Sequence, residues 1–492
     1  MPICMVIPAE IKRTLFVVVF FAILVHIYRN AFTKLPHYFR GKIYDRRFDE
    51  VESAFKQNFY DEYEQGGASL VVYYQNKLVV DLWGGYADRN AARRWMKNTL
   101  VVTLSTTKII AAFCIALLVD RGYINYSDPI SKYWPNFRKN GKAKTTIEMV
   151  LSHTAGLPYL DQFIPVHQFK NHTVMRMVLE DAKPKWSPGT RMAYHSYTYG
   201  WIIDQIIRHA DPEHRGLAQF FKEEIADKYA VDYFISLPRE EYYRVARFMP
   251  ITWLQSIKDF FWRTDPRAHP FWLRNYKSMI IDQNDVKTPI CENSNSDHQE
   301  YSTIKLLSVD RDYFFTNLSS FDNNCDENFV MIPPWLGRRF PSTVNNPNYL
   351  QIGEGSMLGV GNARSLAKIF HIVLNNKLSE SLQFYLKQSP AKNDDLIMGS
   401  NIFRSNGFIY YMTNSSKSSM NKFLDILKFQ ELWGYGHDSY GCQQVFYDPK
   451  NNVIIAYTSN FIKFGTFLKC LPYQIIHLSI YNVLRNLGNS IN

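Results

Sequence analysis

Cysteine is scarce. The chain has six in 492 residues, at 4, 114, 291, 325, 442 and 470, and no C-x-x-C pair. That excludes a disulfide-stapled scaffold and a structural zinc site. Cys291 and Cys325 flank a polar stretch and could bridge in an oxidising compartment. Glycine (23) and proline (22) are not in excess and no internal repeat is present, so collagen-like and low-complexity chains are excluded. Basic residues outnumber acidic ones 56 to 45, a net charge of +11, but no dense basic run alternates with aromatics. Nucleic acid is therefore not the expected partner. No G-x-G-x-x-G is present; Gly84-Gly85 reads as a strand end rather than a phosphate loop. His209 and His214 lie in or beside a polar DPEHR loop without an H-x-H-x-D pattern, so no metal and no cofactor is expected.

Long hydrophobic runs are also few. The clearest, Thr14–Tyr28, has fifteen residues and follows Lys12 and Arg13, whereas a full span takes about 20. With no small-x-small cleavage site after it, the reading is an uncleaved, single-pass N-terminal membrane anchor, residues 1–40 with its juxtamembrane segment. Arg29, Lys34, Arg40 and Lys42 after the run favour a cytosolic catalytic part, while sequons at Asn125, Asn171, Asn317 and Asn414 lean the other way. The orientation stays open.

What is present is ample core material: 46% hydrophobic and 15% aromatic residues. Phe48, Val51, Phe55, Phe59 and Tyr63 keep helical spacing within 47–64. ASLVVYYQ (68–75) and KLVVDLWGGY (77–86) read as a hairpin turning at Asn76-Lys77. The run 99–123 begins extended and becomes helical near Ser105, with Gly122 as its stop. A helix-rich middle covers 143–230. From 236 to 350 polar pieces alternate with aromatic clusters, an insertion or lid. Residues 362–376 form a helix, 442–449 and 452–460 are strand-like, and 472–486 form a last amphipathic helix. A main domain over 45–470 and a C-terminal helix and tail over 471–492 follow.

Ser105-Thr106-Thr107-Lys108 is an S-x-x-K, one of six in the chain, the others starting at Ser53, Ser302, Ser365, Ser389 and Ser419. Only Ser105 stands where an apolar extended run becomes a long apolar helix. There the helix dipole stabilises a developing alkoxide, and a residue three places on shares its face. A lysine in an apolar pocket loses affinity for its proton and can serve as general base. A serine cap beside an exposed lysine is the commoner use of such a pattern, so position and context must separate the two.

Context is supplied by GGYAD (84–88), LSTTK (104–108), LVDRGYINYSDPISKYWP (118–135), LSHTAGLP (151–158), WSPGT (186–190), YHSYTYGW (194–201), NARSLAK (362–368), GH (436–437) and DP (448–449). In this order the motifs resemble those of the β-lactamase-related serine hydrolases: class C β-lactamases, penicillin-binding proteins, their esterase relatives and animal β-lactamase-domain proteins. The resemblance runs from Phe48 to about Asn460 with a gap at 236–350. It implies an α/β (α+β) fold, an antiparallel sheet flanked by helices with a helical subdomain and the site in the cleft between. The family nucleophile falls on Ser105 and its base on Lys108. Its Tyr-x-Asn falls on Tyr194-His195-Ser196, with Tyr194 as proton relay and Ser196 where lactamases carry Asn. Its third motif falls on His437-Asp438-Ser439, with serine where glycine is usual and Cys442 in place of a later glycine. The implied oxyanion donors are the N–H groups of Ser105 and Tyr440. His153 and His195 are expected to be structural, and Trp186–Gly189 a turn that presents Tyr194.

The expected activity is hydrolysis of an ester or amide through a Ser105 acyl-enzyme. The rival is a weak or inactive relative with a binding role, suggested by Ser196 and Ser439. The same departures disfavour a true β-lactamase or peptidoglycan peptidase. If His437 and Ser439 share one face of a strand, the hydroxyl narrows the acyl slot in favour of short esters, and Asp438 on the opposite face requires a partner.

Overall fold

A computed structural model describes residues 9–32, 35–162, 164–249, 342–375, 392–395, 400–412, 433–463 and 470–489. The chain divides into two compact units, Met1–Tyr38 and Phe39–Asn492.

The first unit carries α1 (Ala9–Phe32), 24 residues long. Its large apolar side chains from Leu15 to Val25 are exposed. Among the described residues no helix is long and apolar enough to cross a membrane, so the single-pass anchor read from the sequence gains no support. The physical reason lies in the flanks. Lys12, Arg13 and Arg29 confine the apolar run to fifteen residues, about 22 Å at 1.5 Å per residue against a hydrocarbon core of about 30 Å.

In the second unit most of the described strands form one antiparallel sheet, and Val101–Val102 with Val360–Gly361 make a separate two-stranded ladder. Those of the large sheet are β1 (Phe39–Ile43), β2 (Gly67–Tyr74), β3 (Lys77–Asp88), β4 (Lys392–Asp395), β5 (Ser400–Ser405), β6 (Phe408–Met412), β7 (Trp433–Asp438), β8 (Gln444–Asp448) and β9 (Val453–Ser459). Their spatial order is β1-β3-β2-β9-β8-β7-β6-β5-β4, with Arg93–Arg94 paired onto β3. The β2–β3 hairpin turns at Gln75 and Asn76, both with positive φ (48° and 63°). That backbone follows the right-handed twist of the strands it joins.

Alternation along the strands splits the core in two. Val71, Tyr410, Tyr435, Val445, Ile454 and Ala456 face α3 (Thr107–Asp120), α4 (His172–Asp181), α5 (Thr198–Ala210) and α6 (Leu217–Phe221), together with α7 (Ala363–Asn375). Their neighbours Val72, Tyr411, Phe446 and Ile455 face α2 (Asp49–Tyr60) and α8 (Leu471–Asn489). A period of two sends successive side chains to opposite faces. The expected antiparallel sheet with helices on both sides is therefore present. The insertion expected at 236–350 lies mostly outside the described residues, as do Asn317 and Asn414.

α8 is tied down at several points. The Asn58 side-chain amide on α2 donates to the Pro472 carbonyl at 2.9 Å. The Tyr481 hydroxyl donates to Asp448 at 2.6 Å. Cys470 is disulfide-bonded to Cys442, 28 residues earlier, with Cα atoms 5.7 Å apart. The pairing suggested by the sequence, Cys291 with Cys325, lies outside the described residues.

His477 stacks on Tyr481 with centroids 4.5 Å apart and lies against Phe446 on β8. Burial pushes its imidazole down to about 3. The unfolded chain, with histidine near 6.5, then binds the proton first, so stability falls as the pH drops from 6.5 towards 3. By pH 5 one such histidine costs about 2 kcal/mol. His477→Phe is expected to lose about 2 kcal/mol less unfolding free energy than the parent chain between pH 7.5 and 5, read by denaturant titration. An equal loss in both proteins would remove His477 from the acid-sensitive groups.

Candidate active site

Val101–Val102 pairs with Val360–Gly361, and the Thr103 N–H donates to the Gly359 carbonyl at 2.8 Å. The chain then turns through a 3₁₀ segment, Leu104–Thr106, into α3. Leu104 sits at φ +47°, a left-handed conformation that a branched L-residue adopts only when its surroundings impose it. The threonines impose it here: Thr106 Oγ1 donates to the Thr103 carbonyl at 2.5 Å and Thr107 Oγ1 to the Leu104 carbonyl at 2.6 Å. From 99 to 118 every residue is buried except Ser105, which is partly exposed. The turn thus presents one hydroxyl to the cleft at the start of a helix buried on all sides.

Lys108 lies one turn further on and is fully buried. Its Nζ donates to the main-chain carbonyls of Ser196 at 2.9 Å and Ser356 at 3.0 Å. It also lies 4.7 Å from the centroid of the Tyr194 ring and 5.8 Å from that of Tyr199. Burial, with repulsion from Arg404 added and the Glu354 carboxylate opposing, brings its ammonium down to about 7. Near neutrality Lys108 is therefore poised to gain or lose a proton, as a general base requires.

The 194–196 segment sits against it. Tyr194 is buried, its ring centroid 4.8 Å from that of His153. His195 accepts the Leu157 N–H at Nε2 (3.1 Å) and donates from Nδ1 to the Ala193 carbonyl (2.6 Å), so both ring nitrogens are committed to backbone. His153, at φ +61°, accepts the His195 N–H at Nδ1 (3.0 Å). Both histidines brace the segment as expected. Ser196 meets Lys108 through its carbonyl rather than its hydroxyl.

The third motif closes the site from β7. His437 pairs with Val445, on the face turned towards α3. Its Nδ1 donates to the Asp438 carbonyl at 2.7 Å, which leaves Nε2 an acceptor. Burial, reinforced by the nearby Lys108 and Arg404 charges, pushes its imidazole down to about 3, so it is neutral. Asp438 points the other way and accepts the Tyr411 hydroxyl at 2.9 Å, the partner that its position demanded. Ser439 continues in extended backbone (φ −147°, ψ 166°) and returns to the His437 face. There its Oγ accepts the Ser105 N–H at 2.8 Å. The hydroxyl thus holds one of the two N–H groups expected to bind an oxyanion. Tyr440 opens the short turn that follows, and Cys442 at its end has φ +69°, the conformation that suits the glycine usual there.

Three residues of the site carried no sequence signal strong enough to single them out. Glu354 is buried and accepts the N–H groups of Ser356 (2.6 Å) and Met357 (2.8 Å), fixing the turn whose carbonyl holds Lys108. Burial raises its pKa and Lys108 opposes that shift. Gly200 makes room for it: a Cβ there would lie 2.4 Å from Glu354 Oε1. The only hint was an acidic residue in the apolar, glycine-rich run 353–361. Ser356, besides lending its carbonyl, accepts the Gly200 N–H at Oγ. Arg404 on β5 is buried with its guanidinium 4.8 Å from the Tyr194 ring centroid. Among the described residues no group of three or more His, Cys, Asp or Glu is placed to hold a metal ion.

Comparison with known proteins gives the family and the fold. The family model described as Beta-lactamase matches residues 48–465. The chain is similar to an esterase/beta-lactamase, LipL, of Mycobacterium tuberculosis, 36% identical over 188 residues, which are 38% of this chain and 43% of that protein. It is also similar to a beta-lactamase of Escherichia coli, 29% identical over 135 residues, 27% of this chain and 34% of the relative. The chain thus spans less than half the length of these two relatives. Among solved structures, a family VIII carboxylesterase superposes with a TM-score of 0.65 at 22% identity, covering 90% of this chain and 99% of that one. A penicillin-binding protein homolog from Caulobacter crescentus gives 0.63 at 23% identity over 90% of this chain and 99% of its own. At that identity the two superpositions speak for the fold.

Proposed function

The chain belongs to the beta-lactamase family, and on that premise we propose that it is a serine hydrolase that cleaves esters or amides through an acyl-enzyme on Ser105, with Lys108 as the base. The observation that carries this reading is the buried Lys108, held by two carbonyls one helical turn from the one partly exposed residue of its run. Neutral Lys108 takes the Ser105 proton as Oγ attacks the carbonyl carbon. The oxygen of the tetrahedral adduct is received by the N–H groups of Ser105 and Tyr440. Tyr194 passes a proton to the leaving group, and water then releases the acyl group by the reverse path. His437, neutral and with Nδ1–H committed to the Asp438 carbonyl, offers Nε2 as an acceptor.

The ester or amide class rests on the relatives named esterase, carboxylesterase and beta-lactamase. Esters are favoured over β-lactams because Ser196 replaces asparagine and Ser439 replaces glycine. Ser439 adds a condition, because its Oγ must leave the Ser105 N–H before a carbonyl oxygen can occupy that place.

α1 is the part of the chain suited to a membrane, its large apolar side chains from Leu15 to Val25 exposed. The Cys442–Cys470 bridge supports a catalytic unit on the oxidising side of that membrane.

A fluorophosphonate probe on the purified protein is expected to label Ser105. Ser105→Ala should abolish labelling, and Lys108→Ala should slow it by about 10²–10⁴-fold. In the parent chain the labelling rate should rise with pH through about 7, as Lys108 loses its proton. Persistent labelling of Ser105→Ala, or none of the folded parent chain, would overturn the assignment. Ser439→Gly should raise kcat/KM for acetyl esters about fivefold, the worth of one hydrogen bond of about 1 kcal/mol, and more for bulky acyl groups; a fall on acetyl esters would mean that the hydroxyl assists. Deleting residues 1–30 should release the protein from carbonate-washed membranes with its thermal melt unchanged, and a full-length chain that is already soluble would refute the membrane role.

A further inference from the structure

The charge around Tyr194 is unevenly supplied. His437 heads the third motif but is neutral, its Nδ1–H donated to the Asp438 carbonyl at 2.7 Å. Lys108 lies 4.7 Å from the Tyr194 ring centroid, yet it acts as base only when it carries no charge. Arg404 differs from both. Its guanidinium is a planar, delocalised fixed cation. Its Cζ lies 4.8 Å from the same ring centroid, and the side chain is buried, so solvent does little to screen it. Its field reaches across the site, where it helps to hold the His153 and His437 rings neutral.

We propose that Arg404 is the positioning residue of the proton relay: its guanidinium over the Tyr194 ring orients the phenol and stabilises the negative charge that its oxygen acquires on giving up its proton. The proposal rests on the acyl-enzyme reading above. In the step concerned, the bond from carbonyl carbon to leaving oxygen breaks and the electron pair stays on that oxygen. The Tyr194 proton moves to it, and the leaving group departs as an alcohol. The phenolate then recovers a proton from the Lys108 ammonium, which had received it from Ser105. No proton or electron is left over. The phenolate is the anion that this step creates as the tetrahedral oxyanion collapses, and it forms while Lys108 is charged and is discharged as Lys108 becomes neutral. Among the described residues against the Tyr194 ring, Arg404 is the cation that stays throughout. Arg404 also comes from β5, on the far side of β6 from β7, so this charge is delivered by a part of the sheet separate from all three motifs.

The dependence on leaving group tests this. A 4-nitrophenolate departs without a proton, whereas a methoxide requires one. The full chain is assayed for kcat/KM, which reports acylation, with 4-nitrophenyl acetate and methyl acetate. Arg404→Met is expected to lose about 10–100-fold on methyl acetate and less than about threefold on 4-nitrophenyl acetate. Arg404→Lys should recover most of the loss, because a charge is restored without the fork of donors. Equal losses on both esters would reduce Arg404 to a structural part, and no loss on either would remove it from the relay; both results overturn the proposal. Tyr194→Phe separates this failure from that of the underlying reading. If Tyr194→Phe shows the selective loss on methyl acetate and Arg404→Met does not, the relay stands and Arg404 has no part in it. If neither variant discriminates between the esters, the relay role of Tyr194 falls and the proposal with it.

Discussion

An ammonium group in a dry core is the constraint around which the helical side of this molecule is organised. Taking such an ion out of water costs several kcal/mol unless its protons are received and its charge is opposed. Lys108 meets both needs within one cluster. Two main-chain carbonyls accept its protons, two tyrosine rings lie within reach of its charge, and Glu354 sets a buried carboxylate nearby. Glu354 is costly in its own right and is stabilised by two N–H donors, in space that Gly200 leaves open. What remains of the desolvation cost appears as a lysine that parts with its proton near neutral pH. The lowered proton affinity of Lys108 is thus the unrecovered part of a folding cost.

The sheet serves this cluster through simple alternation. His437 and Ser439 face the helices because they are two apart in extended backbone, and Asp438 between them is sent to the opposite core. There it finds Tyr411, one position along β6 from Tyr410 on the other face. The third motif therefore joins two hydrophobic clusters. Its far end is fastened as well, since Cys442 bonds to Cys470 at the start of α8. The helix farthest along the chain thereby braces the turn that follows Ser439.

What could be read from the sequence was local. The hairpin at 67–88, the turn into α3, the helix at 363–375 and the strands at 444–448 and 453–459 each carry periodicity and stop signals within a dozen residues. Ser105 and Lys108 are one turn apart, so their proximity follows from helix geometry alone. Glu354, Ser356 and Arg404 lie some 250 to 300 positions from Lys108, and only tertiary packing brings them to it. The Cys442–Cys470 pair has no spacing signature that separates it from Cys291 and Cys325. The Ser439 hydroxyl was expected to narrow the slot. Its hydrogen bond to the Ser105 N–H depends on the placement of two backbones 334 residues apart. For the N-terminal run, fifteen apolar residues with basic flanks are ambiguous by length alone, because hydrophobicity announces an apolar surrounding without saying how deep the helix enters it.

The cradle of Lys108 has one further consequence, concerning how this site tolerates genetic drift. Its two acceptors are peptide carbonyls, and every amino acid carries one. Exchange at position 196 can alter what the cleft offers a ligand while leaving the lysine's acceptor in place, so the identity of that side chain leaves the hold on Lys108 unchanged. Position 356 lacks that freedom, because its hydroxyl also accepts the Gly200 N–H and donates to the Tyr197 carbonyl. Two serines that hold the same nitrogen through the same kind of atom thus differ in what a substitution would break, and the one with fewer bonds to lose is the one that lies within a recognised motif.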